Sequence, residues 1–448
     1  MERLFSTIII SFFTVTSLFS QIKILTYEEV VLIAVENSII IRQRQNDLKI
    51  NKVNKQQSVA NFLPNVGINA GNYRTDGRQW SNEESTMVNT SIDRANYNIG
   101  ANMIVFNGLK NIYQLKQSNN LLEAQKEQLE QSRQNIIYIV SQQFIQILLD
   151  KELVLIAEQN IEVQRKLYEQ LDIYVKTGTR TKTELLSQEA QLKTSKANFL
   201  LLKNQLQKEK ANLAKTLLLE SEKEIDVFQP DWDVANILNT NYDMDALYQI
   251  ALNSRSELKR LQAEEKANLN NVIISRSDYV PKITFYYNYG SYYSSDYRRL
   301  NSDGLYQAIA FDSQLLKENK THQYGFNISI PIFDRLQTRT NVTRSKIMHE
   351  NSRLELQNFK MQLFIDVQNA YQDLVSYKEI YFANLLSAEA SQLVYEKQQE
   401  MYRMGLCSLV DLNIENKRKI EAQFEVVHAK YNLFFQQIVL NYHIGNLE

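Results

Sequence analysis

Residues 96–107 read NYNIGANMIVFN and residues 323–334 read QYGFNISIPIFD, nearly the same twelve-residue pattern written twice, 227 positions apart. Tyr97, Ile99, Ala101, Met103 and Val105 alternate with Asn96, Asn98, Gly100 and Asn102. Tyr324, Phe326, Ile328, Ile330 and Ile332 alternate with small or polar residues in the same way. A period of two predicts a β-strand with one apolar and one polar face. Partner strands precede each segment: VGINAGNY from Val66, and ITFYYNYGSYY from Ile283. The spacing therefore predicts two hairpins, over about 64–106 and 281–333, each with strands of roughly ten residues. That length crosses a bilayer when the strand is tilted. The connecting segment 74–96 is polar and reads as a long loop, and tyrosines crowd the second hairpin as in an interfacial girdle.

The rest of the chain is written for helix. It holds only 11 glycines and 4 prolines in 448 residues, against typical usage of about 7% and 5%. Neither occurs between Gly108 and Gly178 or between Pro331 and Gly405, so long helices are expected over 109–176 and 335–404. At 1.5 Å per residue each would reach about 100 Å. Leu122, Leu129 and Ile136, then Val140, Ile147, Val154 and Ile161, recur at heptad spacing, which predicts coiled-coil-like packing.

The likeness between the halves extends further. IAVENSIIIR (33–42) resembles IALNSRSELK (250–259), and NFLPNVGINAG resembles DYVPKITFYYN, both at an offset of 217. VKTGTRTKTELL (175–186) resembles YRMGLCSLVDLN (402–413) at 227. One ten-residue length change between Pro281 and His322 explains both offsets. The expected organisation is a signal peptide over 1–20, a first repeat over 21–224, a linker over 225–243 without clear periodicity, and a second repeat over 244–448. In the leader Glu2 offsets Arg3, ahead of an apolar stretch from Leu4 to Phe19. No later window carries 18 uninterrupted apolar residues, so no transmembrane helix is expected. Four amphipathic strands cannot close a barrel alone, and open edges are not tolerated in lipid, so such a chain must oligomerise.

Charge is balanced, with 50 Lys and Arg against 51 Asp and Glu, which gives no reason to expect nucleic acid as a partner. The four histidines have no metal-ligand spacing, and no GxSxG, HExxH or P-loop pattern occurs. Neither an enzyme activity, a metal nor a cofactor is expected. Cys407 is the single cysteine and has no partner for an internal disulfide.

In order, duplication and spacing the sequence resembles the TolC-type outer-membrane efflux proteins. The likeness is carried by LTYEEVVLIAVENS (25–38), FLP (62–64), VFNG (105–108), GTRTKTELLSQEAQL (178–192) and GLCSLVDLNIENKRK (405–419). The resemblance implies a mainly α fold with a membrane β-barrel portion: a homotrimer with four transmembrane strands per protomer, a twelve-stranded barrel, and long helices forming a periplasmic α-barrel. It implies an exit duct in the outer membrane, working in efflux or type I secretion with a periplasmic adaptor and an inner-membrane RND, ABC or MFS transporter. A periplasmic coiled-coil adaptor and a structural coiled coil are the alternatives.

The resemblance also implies roles for residues. Gly178 and Gly405 match the turn glycines of the periplasmic tip, and Thr179, Thr181, Leu406 and Ser408 beside them are candidates for adaptor docking. Thr183 and Glu184 match a tip Thr–Asp pair, with Glu in place of Asp. Asp411 matches the first of two pore-ring aspartates; the second falls on Ile414, and a nearby Arg position is occupied by Cys407. Arg180, in the other half, is the candidate substitute for that arginine. The competing reading of Asp411 and Glu184 is a first-turn carboxylate held by the helix dipole. On the strands, Tyr97, Ile99, Ala101, Met103, Val105, Phe326, Ile328 and Ile330 are expected to face lipid, with Asn98, Asn102, Asn327 and Ser329 toward the lumen.

Overall fold

A computed structural model describes residues 23–81, 84–219, 225–239 and 242–447; the expected signal peptide lies outside them. Strand β1 (Lys23–Leu25) leads into α1 (Tyr27–Asn37) and α2 (Ile39–Ala60). The first hairpin, β2 (Asn65–Ser81) and β3 (Thr86–Phe106), precedes α3 (Lys110–Lys176) and α4 (Lys182–Thr216). Short β4 (Ile225–Val227) and α5 (Val234–Asn239) follow, then α6 (Met244–Ser254) and α7 (Ser256–Arg276). After β5 (Lys282–Ser294) comes a compact insert of β6 (Arg298–Leu300), β7 (Tyr306–Ala308) and one turn of α8 (Phe311–Ser313). Strand β8 (Thr321–Ser329), α9 (Gln337–Arg403) and α10 (Leu409–His443) complete the chain.

Helices α3 and α9 are both 67 residues long, and α4 and α10 are both 35. The long helices begin just after left-handed residues, Gly108 and Leu109 in one case and Arg335 and Leu336 in the other. Asn107 and Asp334 accept the backbone N–H groups of Asn111 and Thr338, four residues on, and so satisfy donors that a helix start leaves free.

Two compact units divide the chain. The first comprises described residues up to Gln43, Glu130–Arg255 and Gln362 onward. Its core gathers Phe144, Ile147 and Leu148 of α3 with Leu25, Val30, Leu213, Val227, Val427 and Phe434. Trp232 closes it, meeting Tyr27 edge-on at 5.5 Å and Phe434 at 5.4 Å. Val140 and Ile147 of the heptad set are fully buried here, while Leu122, Leu129 and Ile136 are half-buried.

The segment read as a linker without clear periodicity contains β4, which pairs in parallel with β1, and α5. Asp226 of β4 is held at 3.1 Å by both Lys151 of α3 and Lys210 of α4. Burial alone would raise its carboxyl. Hydrogen bonds from Lys210, the Val227 N–H and Lys151 instead hold it below the usual carboxylate range. Three residues carry no periodicity to read, so tertiary pairing decides this strand.

The second unit, Arg44–Leu129 with Ser256–Met361, holds an antiparallel sheet in the order β2-β3-β5-β8. The segment expected as a loop (74–96) is mostly strand. The β2–β3 ladder runs without interruption from Asn65↔Asn102 to Ser81↔Thr86, giving strands of 17 and 21 residues rather than ten. Its outer part is mostly polar, with Tyr73, Trp80, Met87, Val88 and Ile92 scattered over both faces, so hydrophobic alternation fades while the backbone ladder continues. The second pair is shorter, 13 and 9 residues. β5 outruns β8, and Gln314 of the insert covers the exposed stretch. Its side-chain amide accepts from the Ser294 N–H and donates to the Ser294 C=O, both at 3.1 Å, in place of a neighbouring strand.

Candidate functional site

Two helix turns carry most of the residues singled out from the sequence, and both lie in the first unit. At the end of α3, Gly178 adopts φ +76°. Its N–H meets Val175 O at 3.1 Å, and the Thr179 N–H meets Tyr174 O at 2.8 Å. At the end of α9, Gly405 (φ +75°) donates to Tyr402 O and Leu406 to Met401 O. These are Schellman closures, which require a left-handed residue just past the helix and therefore favour glycine. No atom lies within 4 Å of where a Cβ would stand on either glycine, so backbone conformation alone makes the demand.

Three residues on, each chain segment starts a new helix with a capping box. Thr181 accepts from the Glu184 N–H, and the Glu184 carboxylate accepts from the Thr181 N–H at 3.2 Å. Ser408 and Asp411 repeat this, with a 2.7 Å hydrogen bond from the Ser408 hydroxyl to Asp411 as well. Thr181 and Ser408, candidates for docking, are thus N-caps, and Glu184 and Asp411, candidates for the gate, complete the caps within the protomer. Hydrogen bonds from the Ser408 hydroxyl and N–H pull the Asp411 carboxyl below its ordinary range. The spacing [ST]-x-x-[DE] after a turn glycine was in the sequence and signals this box directly.

Thr179, Thr183, Gly178, Gly405 and Leu406 are all exposed. Arg180 reaches from the first turn to the second. Its guanidinium lies 4.8 Å from the centre of the Tyr402 ring, donates to the Tyr402 carbonyl at 3.4 Å and reaches Glu184 at 3.5 Å. Tyr402 is buried with Leu171, Tyr395, Leu409 and Leu412, and burial raises its phenol. Cys407 packs at the same cluster, and its thiol is raised by burial and then by Asp411.

Behind the turns lies a layer of amides that sequence reasoning missed. Gln188 donates to both the backbone and side chain of Gln164, Asn413 donates to Gln188 at 3.2 Å, and Asn416 donates to Asn160 at 2.9 Å. Gln164, Gln188 and Asn416 are almost wholly buried. Polar residues at heptad core positions read as surface in a sequence, and only the packing of α3, α4 and α10 shows them inside.

On the sheet of the second unit, registers place Val66, Ile68 and Ala70 level with Ala101, Ile99 and Tyr97. Ile99, Ala101 and Met103 are level with Tyr289, Tyr287 and Phe285, which in turn face His322, Tyr324 and Phe326. One continuous apolar face results, with Ile68, Phe326 and Ile328 exposed at 69%, 65% and 60%. Two residues depart from the expected alternation. Val105 sits in a bulge, where the register shifts between Ile104 and Phe106, so that Phe106 rather than Val105 pairs with Ile283. Ile330 lies beyond β8, which stops at Ser329 because Pro331 has no N–H to give the ladder.

The opposite face carries Asn65, Asn102, Asn98, Asn288, Asn327 and Ser329. It is concave: a cavity of about 820 Å³ spans all four strands on that side, touching Asn65, Asn102, Thr284 and Ser329.

Comparison with known proteins agrees with this architecture. The family model for outer membrane efflux proteins matches residues 34–217 and 247–441, well over half the chain. The chain belongs to the outer membrane efflux protein family. No individual curated protein matches it. Its fold is similar to that of the outer membrane protein VceC from Vibrio cholerae (TM-score 0.80, 14% identity, 94% of this chain and 96% of that one). It is also similar to CusC (0.81, 14%, 94% and 92%) and to the Campylobacter jejuni CmeC outer membrane channel (0.79, 16%, 94% and 85%).

Proposed function

We propose that three copies of this chain form an exit duct through the outer membrane, each giving four strands to a closed twelve-stranded barrel. The observation that carries this is the sheet itself: one apolar face, one polar concave face, and two open edges at β2 and β8. Open edges in lipid leave backbone N–H and C=O groups unpaired at several kcal/mol each, so β2 of one copy pairs with β8 of the next. The apolar row including Tyr97, Ile99, Met103, Phe326 and Ile328 then meets lipid, and the asparagine face lines the lumen.

The chain is read as two repeats, each a helix pair, a strand pair, a long helix, a turn and a return helix. The two turns form the tip. Gly178, Thr179, Gly405 and Leu406 are offered to a periplasmic adaptor, and Arg180, Thr183, Glu184 and Asp411 govern the narrow end. An inner-membrane transporter supplies the substrate, and the duct conducts it without chemistry.

Native mass measurement in detergent tests the assembly. A stable species of three times the protomer mass is expected, and a stable monomer that still inserts into bilayers would overturn it.

A further inference from the structure

The concave face of the sheet carries very little charge, and what it carries has one sign. From the Lys282↔Ser329 pair outward, its positions are Ile104, Thr284 and Asn327, then Asn65, Asn102 and Tyr286, then Gly, Asn and Gln. The next ionised residue on that face is Arg94, opposite Ser294. Both bracketing charges are cations, and neither has an ion-pair partner among the described residues. At the Lys282 end the 820 Å³ cavity is lined by three ionisable groups, Lys110, Asp278 and Lys282. Lys110 and Asp278 neutralise each other at 2.7 Å, which leaves Lys282 as the net charge. The amides of Asn65, Asn102 and Gln114 line the same cavity without side-chain partners among the described residues, whereas those of Asn107 and Asn111 are used on each other and on Asn61.

We propose that Lys282, with the free amides of Asn65 and Asn102, forms a binding station for oxyanion-bearing solutes at the inner end of the sheet. This rests on the trimeric-duct reading with the concave face inward. An ammonium and unengaged amide N–H groups are the donors that phosphate, sulfate or carboxylate oxygens take up. The one carboxylate lining the cavity, Asp278, is already held by Lys110, and the wall beyond offers neutral hydrogen-bonding groups. Three copies around one axis set three ammonium groups on one ring, which favours multivalent anions over chloride.

The test uses the full chain in planar bilayers with inorganic tripolyphosphate as the probe. Wild type should show concentration-dependent block. Lys282→Gln should raise the half-blocking concentration about tenfold, about 1.4 kcal/mol, while Lys282→Arg should retain block. Should Lys282→Gln give no channels, Asn102→Asp, which sets a carboxylate on the same face, should weaken block similarly. A second arm examines the duct reading alone. In a Cys407→Ser background, Asn98→Cys should react with an impermeant thiol reagent applied through the open channel, and Ile99→Cys should not. Labelling at Ile99→Cys instead would overturn the inward concave face. Correct labelling with block unchanged in Lys282→Gln, or in Asn102→Asp where that variant stands in, would overturn the station and leave the duct standing.

Discussion

Replacing Arg180 by Ala leaves the apolar cluster behind it in place and removes the polar contact that runs from one helix turn to the other. Its worth can be assembled from the geometry. A guanidinium 4.8 Å from the Tyr402 ring at a partly exposed site contributes about 0.5–1 kcal/mol. The hydrogen bond to the Tyr402 carbonyl is long at 3.4 Å and falls near the low end of the usual range, about 0.5 kcal/mol. The Glu184 contact at 3.5 Å, with side chains 26% and 27% exposed, adds a few tenths, about 0.2–0.5 kcal/mol. The Glu184 contact lies within the first turn and stays when the turns part, so the two contacts to Tyr402, about 1–1.5 kcal/mol per protomer, set a 5- to 13-fold change in the equilibrium between joined and separated turns. If separation widens the duct, single-channel recordings of Arg180→Ala should show a larger open fraction or conductance. Hydrogen exchange should speed up locally over 176–184 and 402–408 without global destabilisation. Lys at 180 should recover only part, because an ammonium lacks the planar fork that both stacks and donates. Unchanged conductance together with unchanged local exchange in Arg180→Ala would refute the role of this tether.

Further outcomes follow from the same turns and from the sheet. Gly405→Ala places a Cβ on a left-handed residue with free space around it, so the cost is conformational, about 1–2 kcal/mol, read as faster exchange at the end of α9. Ser408→Ala removes an N-cap and should cost about 1 kcal/mol of local helix stability, measured the same way. Asp411 is hydrogen-bonded in its ionised form, so its folded pKa lies below the unfolded one. Its stabilisation is present above the unfolded value and is lost as pH falls through the folded value. Exchange at the start of α10 should therefore accelerate below the ordinary carboxylate range in wild type and lose that dependence in Asp411→Asn. Arg at Ile328, if near the bilayer midplane, should cost about 2–4 kcal/mol and impair assembly, while Arg at Asn327 should be mild; equal assembly of both would reverse the face assignment.

Much of the local structure was legible because single residues decide it. Glycine at 178 and 405, with Thr or Ser three residues later and Glu or Asp three after that, writes a helix stop and a helix start in seven positions. Alternation over 97–103 and 324–328 placed the apolar face because a period of two admits only one assignment once a partner is in register. What escaped depended on tertiary contact. The outer β2–β3 ladder is mostly polar and its few apolar residues do not alternate regularly, so its hydropathy reads as a loop. The bulge at Val105 inserts one residue without changing composition. Gln164, Gln188 and Asn416 look like surface residues and are buried only because each finds an amide partner on another helix.

The two turns match at a constant offset of 227 in everything that caps a helix: Gly178 with Gly405, Thr181 with Ser408, Glu184 with Asp411. The two residues between glycine and cap do not match: Thr179 stands against Leu406, and the position just before the cap differs in kind. It is Arg180 in one and Cys407 in the other, and only Arg180 reaches across, to the carbonyl of the residue three before the opposite glycine. Caps that serve both turns equally cannot distinguish a closed arrangement from an open one, since each survives as long as its own helix does. The tether can, because it spans two turns and is lost when they part. A change of state that parts the two turns should therefore break the Arg180–Tyr402 contact, while Asp411 makes no contact in it and Glu184 stays with Arg180 at 3.5 Å on the first turn. Moving the arginine by the double exchange Arg180→Cys with Cys407→Arg should leave both caps intact and abolish the existing bridge. Comparison of that variant with Arg180→Ala in the same recordings would show whether the tether must start from the first turn or only needs to exist.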